Sequence, residues 1–143
     1  MLVVTDLTKR RKEKRWTYQR RVLRAVSLEQ LRRDVVTRFF AHVDMLEDRK
    51  EWRLLDACMD IGVDAYLLGA EYARFGYYGE KEFFVLQRCA SDVQLFIDDV
   101  VNQCELCYAE DIATKDLATA FIYDWWRQGF TEGKKCFTLH RNK

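Results

Sequence analysis

Cys104 and Cys107 form a C-x-x-C pair, the spacing with which two thiols chelate Zn²⁺ or close a redox disulfide. A structural zinc site needs four ligands, and the other cysteines and histidines are scattered along the chain. They are Cys58, Cys89, Cys136, His42 and His140. A thioredoxin-type pair follows a strand, whereas this pair ends a helical pattern with Cys104 on its apolar stripe. We therefore expect packing thiols and no cofactor, with a metal site or a redox pair at Cys104 and Cys107 as alternatives.

Binding of phosphate groups is a second chemistry that the residue types could support. Lys9 to Arg15 holds six basic residues and one acid, and Trp16 and Tyr18 follow at once. Neutralised phosphates release counterions, and aromatic side chains stack on exposed bases. The residues expected to bind an anion or a partner are Lys9, Arg10, Arg11, Lys12, Lys14, Arg15, Arg20 and Arg21, which Arg24 extends. No helix-turn-helix or other reader module is recognisable. Nucleic acid and an anionic membrane surface are therefore alternatives to docking on an acidic protein surface.

Four carboxylates at helical spacing offer such a surface, and we call them the acid line. They are Asp56, Asp60, Asp64 and Glu71. On a helix they fall within about 80° of one another. A carboxylate metal site in a helical bundle also needs Glu-x-x-His pairs on facing helices, and neither histidine stands in one. We interpret the acid line as a solvated strip or as the docking groove of the basic segment.

Trp125, Trp126 and Phe130 belong to an aromatic cluster denser than one helical stripe can bury. Neighbouring tryptophans point about 100° apart on a helix. Both are core residues if their helix is enclosed on all sides. Otherwise one of them anchors a subunit interface, where aromatic side chains are enriched. These three residues are therefore the possible interface of a homodimer.

Catalytic patterns are missing from the sequence. It contains no G-x-S-x-G, no P-loop and no glycine-rich dinucleotide turn, and its two histidines lie far apart. We expect no enzyme and name no catalytic residue.

The elements that position these residues are expected to be helices. Proline is absent, glycine occurs six times and no Asn-Gly turn appears, although sheet proteins need frequent turns. Residues 52–78 are apolar on most sides apart from the acid line, which is typical of a central helix. We call them the hub helix. The sequence predicts an all-α, single-domain bundle of four or five helices packed around it.

Boundary signals divide the rest of the chain. Ser27 and Gln30 form a capping box that starts a helix at Leu28, which should end near residues 47–50. An amphipathic stripe spans residues 80–107. Thr114 is expected to cap a last helix that runs towards Phe137.

Glycines within the helices indicate close neighbours. Gly62 and Gly69 share one face of the hub helix, where the absent side chains would admit another helix. Gly129 and Gly133 could do the same in the last helix or could end it. Gly79 is the expected end of the hub region.

Charge is distributed unevenly along the chain. Residues 1–38 hold twelve Lys or Arg against four Asp or Glu, and the remainder holds twelve against nineteen. We therefore divide the chain into a basic N-terminal arm, residues 1–26, and a helical body, residues 27–143. The odd cysteine count, the lack of a signal-peptide pattern and the absence of a long apolar run predict a cytoplasmic protein without a transmembrane segment.

Two segments combine aromatics with glycines, Tyr66 to Gly69 and Trp126 to Gly133. In this they resemble small all-helical proteins of unknown function from Gram-positive bacteria. The resemblance implies a bacterial cytoplasmic protein and carries no catalytic or binding residue.

The first functional hypothesis is a non-enzymatic interaction or regulatory protein, forming a homodimer, whose basic arm and aromatic C-terminal region meet partners. The second is a nucleic-acid-associated protein that binds phosphates through the arm. The third is a small metal or thiol-redox protein centred on Cys104 and Cys107.

Overall fold

Helices make up the secondary structure of the part of the chain that the computed structural model describes, residues 9–10, 17–40, 49–107 and 113–141. No strand occurs in those ranges, which confirms the all-α prediction. The helices are α1 (residues 17–25), α2 (Leu28–Phe39), α3 (Arg49–Glu71), α4 (Ala73–Tyr77), α5 (Glu82–Arg88), α6 (Ala90–Cys107) and α7 (Ala113–Arg141).

Helix α2 begins where the capping signal predicts and ends earlier than expected. The Ser27 hydroxyl accepts a hydrogen bond from the Gln30 amide at 3.2 Å. The predicted end near residues 47–50 is wrong, because Phe40 leaves the helical conformation at φ −124°. Its ring is buried in the core, as is that of Phe39. Residues 41–48, with His42, lie outside the described ranges.

The hub helix corresponds to α3 and α4. Helix α3 starts at Arg49 and is interrupted at Tyr72, so the single helix predicted over residues 52–78 is divided in two. Its central place is confirmed, since α3 contacts α2, α4, α6 and α7. Gly79 follows α4 with φ +103°, a conformation that glycine adopts without strain, and so ends the region as expected.

The single helix predicted over residues 80–107 is also divided. Cys89, at φ −115° and ψ 22°, separates α5 from α6. Its side chain is buried. The apolar stripe of α6 is confirmed, because Val93, Ile97, Val100 and Cys104 are buried.

Helix α7 packs on α3 more closely than side chains would allow. A Cβ atom at Gly129 would lie 1.8 Å from the carbonyl oxygen of Tyr66, and one at Gly69 would lie 2.0 Å from that of Trp126. The two backbones therefore touch, as the glycine pattern predicted for the hub helix. Gly129 and Gly133 lie inside α7 and do not end it. Thr114 is already helical, so its predicted capping role is wrong.

Candidate functional site

A cleft of about 700 Å³ opens between α1, α3, α4, α6 and α7. Its apolar wall is formed by Val22, Leu67, Leu68, Ala70, Phe96 and Phe137. Its polar side chains are those of Tyr18, Gln19, Asp64, Glu71 and Arg74. Small-molecule sites are typically mostly apolar clefts of about 300–1,000 Å³ with a few placed polar groups. The cleft has both properties.

The acid line divides at this cleft. Asp64 and Glu71 line it, whereas Asp56 and Asp60 lie exposed on the preceding turns of α3. Partial burial raises the pKa of the Asp64 carboxyl, and the neighbouring charge of Asp60 adds to the shift. A carboxylate in such surroundings is stabilised by an arriving cation.

Two tyrosine hydroxyls hold α1 in place beside the cleft. The Tyr18 hydroxyl lies 2.7 Å from the carbonyl oxygen of Ala70 on α3 and 3.0 Å from that of Gly133 on α7. It therefore donates to backbone oxygens at the place where these two helices meet. The Tyr66 hydroxyl donates to the carbonyl oxygen of Val22 at 3.0 Å. Burial raises the pKa of both phenols, so both keep the proton that these bonds need. The sequence did not indicate this pairing.

The basic arm is only partly described. Lys9, Arg10 and Arg20 are exposed and Arg21 is half-buried. The ion pairs found within the described ranges involve neither Arg20, Arg21 nor the exposed Arg24. Helix α1 thus lies beside the acid line through tyrosine hydroxyls and apolar contacts. The remaining predicted binding residues, Arg11, Lys12, Lys14 and Arg15, lie outside the described ranges.

The structure brings Cys104 to a third cysteine that sequence spacing could not select. The side chains of Cys104 and of Cys58 on α3 are both buried and interact with each other. The interaction with Cys104 and burial raise the pKa of Cys58, while the interaction with Cys58 lowers the pKa of Cys104. Cys107 is half-buried.

Metal ligation finds no support in the described ranges, where no three His, Cys, Asp or Glu residues are grouped as a metal site requires. The side chain of His140 lies outside them. The thiol-redox alternative stays a prediction.

Trp125, Trp126 and Phe130 are all buried within the chain. Trp126 stacks on Phe130 with the ring centroids 5.1 Å apart. The structure thus places all three in the core, which is the first of the two alternatives, and leaves them no exposed face for a partner. Exposed aromatic surface lies elsewhere.

A polar network anchors Trp125 at the edge of that core. Its indole Nε1 donates to Asp34 at 2.8 Å. Arg38 donates to the other Asp34 oxygen at 2.9 Å and also to Asp124. Asp34 therefore ties α2 to α7. Nothing in the sequence signalled this bond, because its two residues are 91 positions apart.

Phe83 and Phe84 form an exposed apolar pair among the residues that the structure describes. They are 64% and 55% exposed, and their rings meet edge to face with the centroids 5.6 Å apart. Phe83 falls within the amphipathic stripe predicted over residues 80–107, and its exposure does not fit that prediction.

None of the helices in the described ranges has the length and apolar character that crossing a membrane requires.

Comparison with known proteins identifies relatives of unknown function. A family model described as "Protein of unknown function (DUF2521)" matches residues 1–141. The uncharacterized protein YbaK of Bacillus subtilis (strain 168) is 28% identical over 131 residues, which covers 87% of this chain and 88% of YbaK. No solved structure matches the chain. The resemblance to uncharacterised proteins of Gram-positive bacteria is confirmed.

Proposed function

The chain belongs to the DUF2521 family of proteins of unknown function, and from that premise we propose that it is a non-enzymatic interaction protein that forms a homodimer. The observation that carries the proposal is the exposed pair Phe83 and Phe84 on α5. Exposed apolar patches mark interaction sites, and aromatic side chains are enriched there.

Helix α5 holds this pair in a fixed position. Val85 is buried beneath the helix. Arg127 of α7 donates to Glu82 at 2.9 Å, and Arg88 donates to Glu80 at 2.9 Å. The aromatic pair is thus presented by a supported helix, so little conformational entropy is lost on binding.

A second copy of the chain suits this surface. In a two-fold interface the same patch faces itself, so it must be self-complementary. Aromatic rings in edge-to-face contact can extend that arrangement to two further rings. The rim carries both signs of charge, at Glu80, Lys81, Glu82 and Arg88, so an identical patch is not repelled.

Sedimentation velocity over a wide concentration range tests the dimer. The wild-type chain should pass from one-chain to two-chain mass, and the double variant Phe83→Ser, Phe84→Ser should remain at one-chain mass. Leu106→Ser is the matched control, because Leu106 is 74% exposed on a different helix. A wild-type chain that never exceeds one-chain mass overturns the dimer. A double variant that dimerises normally overturns the assigned surface.

Binding of nucleic acid is a second candidate, favoured by the exposed basic side chains of α1. Arg20 and Arg24 lie one helical turn apart and form no ion pair within the described residues. Binding of a labelled single-stranded oligonucleotide should weaken steeply with salt. The double variant Arg20→Gln, Arg24→Gln should reduce the salt dependence. Arg33→Gln is the control, because Arg33 is paired with Glu29 at 2.6 Å. Salt-independent or absent binding rejects the candidate.

A further inference from the structure

Helices α3 and α6 pack against each other in antiparallel register. At one end, the charge of Glu71, the last residue of α3, acts on the thiol of Cys89, which precedes α6. Further along, Asp64 of α3 and Phe96 of α6 line the same cleft. The step back from Glu71 to Asp64 is as long as the step forward from Cys89 to Phe96, because each helical residue adds about 1.5 Å. These two pairs define the register.

Continued along the same contact, the register brings Cys58 of α3 to the level of Cys104 of α6. Both side chains face the core, and Cys58 is fully buried while Cys104 is 5% exposed. Cys107 lies one helical turn beyond Cys104 and is also within electrostatic reach of Cys58. Three thiols from two helices are thus gathered at one place in the fold.

The three thiols differ in their access to solvent. Cys58 and Cys104 are buried, whereas Cys107, the last residue of α6, is half-buried. A small oxidant therefore meets Cys107 first. An accessible thiol with a second thiol beside it can pass its oxidation on as a disulfide. An accessible sulfur in front of a buried pair has the order that such a transfer requires.

We propose that Cys107, Cys104 and Cys58 form a thiol relay that reduces a hydroperoxide and stores the oxidation as a disulfide between α3 and α6. The Cys107 sulfur attacks the terminal peroxide oxygen, the O–O bond breaks, and the leaving alcohol or water takes the thiol proton. The resulting sulfenic acid loses water when the Cys104 sulfur attacks it, which forms the Cys104–Cys107 disulfide. The Cys58 sulfur then attacks Cys104, and Cys107 leaves as a thiol with the Cys58 proton. In sum, two thiols are oxidised to one disulfide and one peroxide is reduced.

Geometry favours the final exchange. Two residues three positions apart on a helix have Cβ atoms about 5–6 Å apart, whereas a disulfide requires about 3.5–4.5 Å. A Cys104–Cys107 bond would therefore distort the last turn of α6. A Cys58–Cys104 bond joins side chains that already interact and leaves that turn intact. Oxidation of Cys104 also removes the first cause of the raised pKa of Cys58, so Cys58 becomes a better nucleophile at this step.

The relay lies at the end of α6 that is remote from α5 and its Phe83–Phe84 surface. It therefore goes beyond the proposed interaction function and neither requires nor excludes the homodimer.

Peptide mapping of the full chain tests the relay. The reduced protein is treated at neutral pH with a small excess of hydrogen peroxide, its remaining thiols are blocked with N-ethylmaleimide, and its peptides are analysed without reduction. One intramolecular disulfide per chain should join the peptides that contain Cys58 and Cys104, and Cys107 should be recovered as a blocked thiol. The oxidised chain should also melt at a higher temperature, because the disulfide closes a long loop in the unfolded state.

Variants separate the relay from direct oxidation of the buried pair. Cys107→Ser should form the Cys58–Cys104 disulfide about tenfold more slowly, because buried thiols meet the oxidant only when the structure opens. Cys104→Ser should leave Cys107 as a sulfenic acid that dimedone traps. Cys136→Ser is the matched control and should react as the wild-type chain does, because Cys136 is buried on α7, outside the cluster.

Two results would overturn the proposal. Peroxide treatment of the folded wild-type chain that leaves Cys58 and Cys104 as thiols would reject the relay, whether Cys107 is over-oxidised or joined to a second chain. Equal rates of disulfide formation in the wild-type chain and in Cys107→Ser would reject Cys107 as the entry point. The first readout needs no variant, so it stands even if a substituted chain fails to fold.

Discussion

Tyr18 and Tyr66 each donate a hydroxyl hydrogen to the backbone of the other's helix. Tyr18 of α1 reaches Ala70 of α3 at 2.7 Å, and Tyr66 of α3 reaches Val22 of α1 at 3.0 Å. The boundary that the sequence suggested at residue 26 therefore marks a change in charge. It does not mark a break in packing, because α1, residues 17–25, packs against the helical body. These two hydrogen bonds fix the position of α1, which forms one wall of the cleft.

Removing these hydroxyls should loosen α1. Tyr18→Phe and Tyr66→Phe should each lower the free energy of unfolding by about 1 kcal/mol, because each removes a hydrogen bond between a hydroxyl and a backbone carbonyl oxygen. The double variant should deviate from the sum, since both bonds hold one helix. Urea unfolding measures the losses, and hydrogen exchange locates them in α1. Tyr77→Phe is the control, as its hydroxyl has no hydrogen-bond partner in the described part of the chain. Equal losses in all three would reject a specific role for these bonds.

The contact between α3 and α7 should tolerate no side chain at Gly129. Gly129→Ala should destabilise the chain by about 3 kcal/mol or more, because the added carbon meets the Tyr66 backbone and the helices must separate. At Gly62 the added carbon meets the side-chain ends of Leu31 and Phe121, at 2.8 and 3.0 Å, which can shift. Gly62→Ala should therefore cost much less, helped by the better helix propensity of alanine. Thermal unfolding of both variants decides, and similar losses would argue against backbone contact.

The Asp34 network should contribute more than an exposed ion pair. Asp34→Ala removes the acceptor of the buried Trp125 indole and a partner of Arg38, so a loss of about 2 kcal/mol is expected. The comparison is Glu29→Ala, which breaks a pair whose side chains are 77% and 76% exposed. That loss should stay below about 0.5 kcal/mol. Chemical denaturation measures both, and equal losses would show that the network is not needed for stability.

Asp64 should oppose folding at neutral pH. Its folded-state pKa lies above the ordinary value through burial and the charge of Asp60, so the folded chain binds this proton more tightly than the unfolded chain. The stabilisation that the protonated carboxyl gives the folded state is fully present below the unfolded-state pKa. It is lost as pH rises through the folded-state pKa. Asp64→Asn should therefore raise the melting temperature at neutral pH, and the gain should disappear in acid. Asp56→Asn serves as the control. A gain that persists in acid would contradict this account.

Access should decide the reactivity of the thiols. Iodoacetamide should modify the half-buried Cys107 in the folded chain before the buried Cys58, Cys89, Cys104 and Cys136. Peptide mass spectrometry with and without denaturant measures the order. Faster modification of Cys104 would instead indicate that its lowered pKa outweighs burial and would favour the redox alternative.

Sequence periodicity correctly predicted those features of the fold that depend on a single helix. The stripe of α6, the cap at Ser27 and the glycine face at Gly69 are local patterns, and each is confirmed. The breaks at Phe40, Tyr72 and Cys89 were missed, because all three residues could continue a helix on propensity alone and tertiary packing decides otherwise.

The candidate site was only partly predictable for a related reason. The acid line marked Asp64 and Glu71 correctly as a polar strip on the hub helix. The cleft itself also needs Tyr18, Phe96 and Phe137, which come from three other helices. No spacing rule links residues so far apart in the chain, so the apolar half of the site emerged only from the packing.

The backbone contact between Gly69 and Gly129 also has a mechanical consequence. Because no side chain separates the two backbones at these glycines, sliding or rolling of α3 against α7 would bring backbone atoms into collision. Helix α1, by contrast, is held to α3 by side-chain hydrogen bonds, and its connection to α2 at residues 26–27 is not helical. We therefore expect the cleft to widen by movement of α1, after loss of the Tyr18 and Tyr66 hydrogen bonds, before α3 and α7 separate.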